Sequence, residues 1–226
     1  MGLVADIDIE SEKYRYMGDV RFSYMGFKRI MKRRYFTGKV WYLPLEDEQL
    51  STNSHDEQKT DSPQSCDDNP LSVSSVSIKK QNLESDACGS SIPNVHLPSI
   101  GESISTSWKS IEGRFIGWSF VTLSHIGKDC HLIPNAPLGD GVIYCCYLAG
   151  DMSRKNLFDV FDSVVKGEHM SVEGMHLIKA RAFRCEPYIT SSKIITIDGE
   201  QVHYGTIQGE VYKGLGRVIC RYIPDV

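Results

Sequence analysis

The sequence predicts a mainly β domain with two helical elements and one long disordered insertion. Three observations lead there. Runs rich in β-branched and aromatic residues recur at 35–43, 115–122, 142–149 and through most of 175–222. An Asp198-Gly199 pair sits between two such runs. It is the strongest local hairpin signal available, because it supplies the positive φ that a type I′ turn needs. Strands and helices do not alternate along the chain, which argues against a Rossmann unit.

Taken in order, Ala5-Asp6-Ile7-Asp8-Ile9-Glu10 alternates apolar and acidic residues. This reads as a half-buried strand with its carboxylates on one face. Arg15 and Arg21 follow shortly after. Such a face suits an ammonium group, a metal or a basic loop; the plainer reading is a solvated face balanced by the arginines. Residues 18–34 read as a helix or helical loop, with Val20, Met25, Phe27, Ile30 and Met31 apolar and Lys28, Arg29, Lys32, Arg33 and Arg34 cationic. It is either a surface helix packed on a β core or an element that touches an anionic membrane. Near such a surface each Lys or Arg contributes about 1 kcal/mol.

A strand at 35–43 ends at Pro44. From 46 to 112 Ser, Asp, Glu, Asn, Gln and Lys dominate, and such a segment cannot bury enough apolar surface to offset the entropy of ordering. It reads as a disordered insertion between two strands of one domain. Its serine run, Ser72-Val73-Ser74-Ser75-Val76-Ser77, is an untouched spacer or a phosphorylation site, and the spacer reading is preferred.

Structure is expected to resume near Arg114. Gly139-Asp140-Gly141 reads as a turn before the apolar run 142–149, which has the pattern of a strand buried on both faces. Ser153 is a good N-cap for a helix reaching Lys166, and Gly167 is placed to end it. Leu157, Val160, Phe161 and Val164 fall at i, i+3, i+4 and i+7, one apolar stripe. That stripe is core in most proteins, and it equally suits the wall of an acyl-chain pocket. Asp198-Gly199-Glu200 is a hairpin turn, or else a pair of loop-tip carboxylates able to hold Mg²⁺ through water or to bond a nucleotide.

The totals exclude several classes. No apolar run approaches the roughly 18 residues a membrane span needs, and the N-terminus lacks a basic-then-apolar leader pattern, so a cytosolic protein is expected. Seven cysteines without a CxxC read as reduced structural thiols rather than a zinc site. The net charge of −4 divides unevenly: residues 1–44 hold nine Lys/Arg against five Asp/Glu, and residues 45–113 hold four against twelve. The basic excess is local, and no nucleic-acid partner is implied. No Walker loop, GxGxxG, HExxH or GxSxG is present.

Several segments in order resemble a known family. They are Ala5-Asp6-Ile7-Asp8-Ile9-Glu10-Ser11-Glu12-Lys13-Tyr14-Arg15, Arg21-Phe22, Tyr35-Phe36-Thr37-Gly38-Lys39-Val40-Trp41-Tyr42-Leu43-Pro44, Ser124-His125-Ile126-Gly127, Lys166-Gly167-Glu168-His169-Met170, Ala182-Phe183-Arg184-Cys185-Glu186-Pro187 and Ile197-Asp198-Gly199-Glu200. The chain resembles the C-terminal half of a sphingosine kinase, within the diacylglycerol-kinase-like lipid kinases.

The resemblance implies a two-layer antiparallel β-sandwich with one or two helices, made of residues 1–45 and 113–226 around an acidic, Ser-rich insertion at 46–112. It implies phosphoryl transfer from ATP, with Mg²⁺, to the primary hydroxyl of sphingosine. Asp8 would bond the cationic head group. Phe22, Leu157, Val160, Phe161, Val164 and His169 would line the tail pocket. Arg15, Arg21, Asp198, Gly199 and Glu200 would hold ATP. Tyr24, Phe27, Lys28, Arg29, Lys32 and Arg33 would meet an anionic membrane surface, which makes the protein cytoplasmic and peripherally membrane-associated. Lys28 stands where the family has an apolar residue, so this patch leans on charge more than on insertion.

The family's phosphate loop and catalytic GDG aspartate have no counterpart in this chain, and Gly139-Asp140-Gly141 lies in the wrong place for the latter. No catalytic residue is therefore assigned, and the isolated chain is expected to be inactive. A homodimer of the full enzyme stays open. The competing readings are a non-enzymatic lipid-binding or membrane-docking module and a related ceramide or diacylglycerol kinase.

Overall fold

The computed structural model describes residues 1–45, 97–188 and 194–213. In chain order the elements are α1 (Leu3–Ser11), a 3-10 turn (Glu12–Met17), α2 (Val20–Met31), β1 (Phe36–Pro44), β2 (Lys109–Val121), β3 (Ile143–Ala149), α3 (Arg154–Ser163), β4 (Met175–Pro187), β5 (Ile195–Ile197), β6 (Glu200–Val202) and β7 (Ile207–Glu210). Every strand pairing among these is antiparallel, as the family resemblance implies.

Two long strands organise the sheet. β2 pairs with β1 from Lys109 to Phe115, then with β3 from Phe115 to Val121. β4 pairs with β3 up to Ala180, then with β1 from Ala180 to Pro187, and carries β7 on its other edge. Register slips at Phe115/Gly117 and Leu43/Pro44 bend the sheet, as extra residues in a ladder do. β1, β2, β3 and β4 therefore close into a ring within one five-stranded sheet, with β7 on the edge of β4. Alternation along β2 separates two cores. Phe115 points into the ring with Phe36, Val40, Trp118, Ile143, Cys145, Ala180 and Cys185. Its neighbour Ile116 points out, under the helices, with Ile30, Leu148, Met152 and Leu157.

Local signals act as read. Ser153 Oγ accepts from the Asn156 amide at 3.0 Å and starts α3. Asp198 and Gly199 have φ of 49° and 85° and join β5 to β6. Gly139-Asp140-Gly141 is a turn: Asp140 accepts from the Val142 amide at 2.9 Å and from the Tyr144 hydroxyl at 2.6 Å. Cys130, Cys145, Cys146 and Cys185 are free thiols. Burial pushes Cys130 up to about 11 and Cys146 and Cys185 up to about 12, so they stay protonated and unreactive.

The opening stretch departs from expectation. Ala5 to Glu10 lies within α1 rather than a strand, which brings the α-helices to three rather than one or two. The buried face of α1 is Ala5, Asp6, Ile7 and Ser11. A buried aspartate sits in the middle of that face, so the apolar residues alone show a period of two and hide the helical one. Arg34, 3.6 Å away, makes Asp6 tolerable there.

The return of structure also comes earlier than Arg114. Trp108 is buried, and β2 starts at Lys109. Residues 98–102 are held by Arg184, whose side chain is buried on β4. Its guanidinium donates to the carbonyls of Pro98 (2.8 Å), Ser99 (3.0 Å) and Glu102 (2.9 Å), and its Nε to Gln208 Oε1 (2.9 Å). That partner lies more than eighty residues away in sequence, which is why local composition does not show it. The remainder of the insertion, 46–96 with its serine run, and the predicted strand residues beyond Lys213 lie outside the described residues. Among the described residues no helix is long and apolar enough to cross a membrane.

Candidate functional site at the end of the first helix

A helix turns about 100° per residue, so residues four apart share a face. The acids of the opening stretch therefore separate into two pairs. Asp6 and Glu10 face α2, where Glu10 pairs closely with Arg29 and lies 3.3 Å from Arg34. Asp8 and Glu12 lie on the opposite side. Glu12 sits where α1 gives way to the 3-10 turn and takes both arginines of the sequence prediction: Arg15 Nε at 2.5 Å and Arg21 Nη1 at 2.7 Å. Arg21 also stacks on the Phe22 ring, 4.5 Å from its centroid.

Asp8 is half-buried. Burial first, then the charge of Glu12, raises its carboxyl above the ordinary value, and Arg21 offsets part of this. The β5–β6 hairpin comes over it. A side chain added at Gly199 would begin 4.0 Å from Asp8 Oδ2. The fold thus brings Asp8 against the Asp198-Gly199-Glu200 turn, from segments nearly two hundred residues apart, while Glu12 ties Arg15 and Arg21 to the same end of α1. Asp198 and Glu200 are exposed at its rim. Glu12 was not among the sequence-predicted residues. Its signal was the i, i+4 relation to Asp8 and the i, i+3 relation to Arg15, which only a helical reading of the stretch reveals.

The arrangement can do definite chemistry. Arg15 is largely exposed, so its ion pair is exchangeable and its fork is available to an incoming phosphate. A half-buried carboxylate with a raised proton affinity is a poor neighbour for nothing and a good one for a cation. Among the described residues no group of three or more His, Cys, Asp or Glu side chains can hold a metal ion. A magnesium ion here would share its ligands between phosphate oxygens and rim carboxylates such as Asp198 and Glu200.

The residues expected to line a tail pocket, Phe22 apart, lie away from this cluster. Leu157, Val160 and Phe161 pack with Ile30, Ile116 and Met152, between α3, α2 and the sheet. The Phe161 ring lies so close to Gly26 that a Cβ there would come within 2.6 Å. Val164 packs with Leu132, Ile133, Tyr144 and Cys146. His169 is fully buried, its Nε2–H donating to the Leu132 carbonyl at 3.0 Å, and burial lowers its pKa, so it is neutral at pH 7. Phe22 sits beside Arg21, at the charged end.

The cationic patch is smaller than the sequence suggests. Arg29 is buried against Glu10 and is not available to a surface. Arg33 donates to the Met152 carbonyl at 2.6 Å, and Lys28 lies over the Tyr14 ring. Facing outward are Lys32 and an apolar line at Val20, Tyr24, Phe27 and Met31.

No family model matches the chain. The chain is similar to human sphingosine kinase 2, 34% identical over 129 residues, which cover 56% of this chain and 20% of that protein. Sphingosine kinase B of Dictyostelium discoideum is 27% identical over an alignment that covers 97% of this chain and 40% of that protein. A ceramide kinase of Arabidopsis thaliana is 25% identical, with 95% and 35% covered. The chain thus spans less than half the length of these curated relatives. Across nearly its whole length the chain is thus similar to part of the sphingosine kinases and of a related ceramide kinase.

Proposed function

We propose that this chain provides the lipid side and part of the nucleotide side of a sphingosine kinase, which phosphorylates the primary hydroxyl of sphingosine from ATP to give sphingosine 1-phosphate. The observation that carries the reading is the half-buried Asp8 beside Glu12-held Arg15 and Arg21, under the Asp198-Gly199-Glu200 turn. Asp8 receives the cationic amine. Arg15 and Arg21 exchange Glu12 for the phosphates and offset the charge that spreads over the phosphoryl oxygens during transfer. Asp198 and Glu200 hold the magnesium ion that accompanies the nucleotide. The tail enters where Leu157, Val160, Phe161, Val164 and His169 line the space between α3 and the sheet, parting the contact of Phe161 with Gly26.

A ceramide or a diacylglycerol has no cationic amine. A partly desolvated carboxylate would gain nothing from either, so Asp8 favours the sphingoid base. The exposed line Val20, Tyr24, Phe27 and Met31 with Lys32 supports a second role for α2, docking on an anionic membrane. The isolated chain binds sphingosine weakly and transfers no phosphate.

Fusing the chain to the catalytic half of a related enzyme tests the reading. Asp8→Asn should raise KM for sphingosine more than KM for ATP, and leave a ceramide substrate unaffected. Equal effects on both KM values would remove Asp8 from the head group. ATP-dependent phosphorylation by the chain alone would overturn its inactivity.

A further inference from the structure

We propose that Glu12 couples the two ends of this site, so that a polyphosphate and a cationic amine bind with positive cooperativity; the inference rests on the roles given above to Asp8, Arg15 and Arg21. Glu12 holds both arginines in the free chain, one on each carboxylate oxygen. It also lies one helical turn from Asp8 and already raises that residue's proton affinity. The same carboxylate therefore serves two neighbours, and it cannot satisfy both at full strength.

In the free chain Arg15 and Arg21 neutralise Glu12. Its attraction for a cation at Asp8 is then largely spent within the protein. A polyphosphate offers the two guanidinium forks several oxygens and draws them off Glu12. Glu12 is left as an unpaired carboxylate next to Asp8, and an ammonium group then meets two carboxylates instead of one. Linkage makes the effect reciprocal: the amine, by occupying Glu12, releases the arginines for phosphate.

The geometry of the cluster permits this without movement of the fold. Arg15 is 76% exposed and Glu12 40%, so their exchange is a matter of side-chain rotation at the surface; Arg21, 17% exposed and stacked on Phe22, makes Arg15 the more exchangeable of the two. The 3-10 turn that carries Arg15 departs from helical geometry at Tyr14, with φ −114° and ψ 24°, which separates the arginine's mobility from α1. By contrast Asp6 and Glu10 are locked by Arg29 and Arg34 and cannot respond.

The test uses the whole 226-residue chain with two probes, tripolyphosphate and a short-chain sphingosine analogue below its micelle concentration. Calorimetry gives the affinity for each alone and for the amine at saturating tripolyphosphate. The expected result is an affinity for the amine that rises about fivefold or more with tripolyphosphate, the lower end of ordinary coupling. Glu12→Gln should bind the amine with the free chain's affinity, with or without tripolyphosphate, while Glu12→Asp keeps part of the rise. Both probes binding singly with no rise in the wild-type chain overturns the coupling and leaves the site assignment intact. An equal rise in Glu12→Gln also overturns it, because direct attraction between the probes would then suffice. If neither probe binds, the site assignment fails and the coupling falls with it.

Discussion

The two acid pairs of α1 make the most informative comparison in the molecule. Asp6 and Glu10 face α2 and are tied to Arg29 and Arg34, with Asp6 and Arg29 almost fully buried. Asp8 and Glu12, each two residues further along, lie on the opposite side, where Glu12 holds the exposed Arg15 and the largely buried Arg21. Residue types are the same and the spacing is the same. What differs is desolvation. A buried pair whose every charge is matched holds two helices in register, whereas an accessible pair leaves arginines and carboxylates free to change partners.

The strongest way to sharpen that contrast is to remove one member of the buried set. Arg29→Ala strands Glu10 and Asp6 beside a single half-exposed Arg34. We expect a loss of about 3 kcal/mol, in the range for breaking a buried ion pair, read as a drop in the urea midpoint. A loss below about 1 kcal/mol would mean the inner pair is no more structural than the outer one.

A second comparison inside the fold has a similar scale. Arg184 is buried like Arg29 but is satisfied by carbonyls alone. Arg184→Ala should cost about 2 kcal/mol and speed hydrogen exchange of residues 97–108 before that of β3, because the freed carbonyls belong to that segment. Uniform acceleration across the sheet would instead make Arg184 a general core residue.

The outer pair should behave differently. Arg15→Ala, at an exposed pair, is expected to change stability by no more than about 0.5 kcal/mol, and Arg21→Ala, 17% exposed on the Phe22 ring, by no more than about 1 kcal/mol, each abolishing tripolyphosphate binding. A large loss of stability from either would place the outer cluster with the inner one.

The smallest effect tests the protonation of Asp8. Its folded carboxyl lies above the ordinary value of 3.8, chiefly through burial. The folded state therefore holds this proton more tightly than the unfolded one. Ionising Asp8 opposes folding above that raised value, and the penalty disappears as pH falls below 3.8. Asp8→Asn should thus slightly stabilise the chain at pH 7, with the gain shrinking as pH approaches 4. Urea titrations at the two pH values decide it, and an Asn variant less stable at pH 7 would contradict the sign.

Much of the sheet was legible before the structure. The runs 35–43, 142–149 and 175–187 became β1, β3 and β4, because runs rich in aromatic and β-branched residues suit a pleated surface. Ser153 and Asp198-Gly199 acted through local backbone chemistry that any context preserves, whereas α3 ends at Ser163, before Lys166 and Gly167. The site was legible in part. Asp8, Arg15 and Arg21 were named, yet their grouping was misjudged because a buried Asp6 disguised a helix as a strand. Glu12 was missed for the same reason, and Arg29, on a helix read as one, was placed outward because its partner Glu10 was assigned to a strand face.

The sequence by itself determined which runs form strands, the α3 cap and the turns, since each depends on neighbours within a few residues. Only the tertiary structure decided which acids are structural and which are accessible, that Arg184 gathers residues 98–102 onto β4, and that the hairpin at Gly199 arrives over Asp8. Those outcomes depend on partners up to about 190 residues away. Desolvation, which separates a locked ion pair from an exchangeable one, exists only once both partners have been brought together.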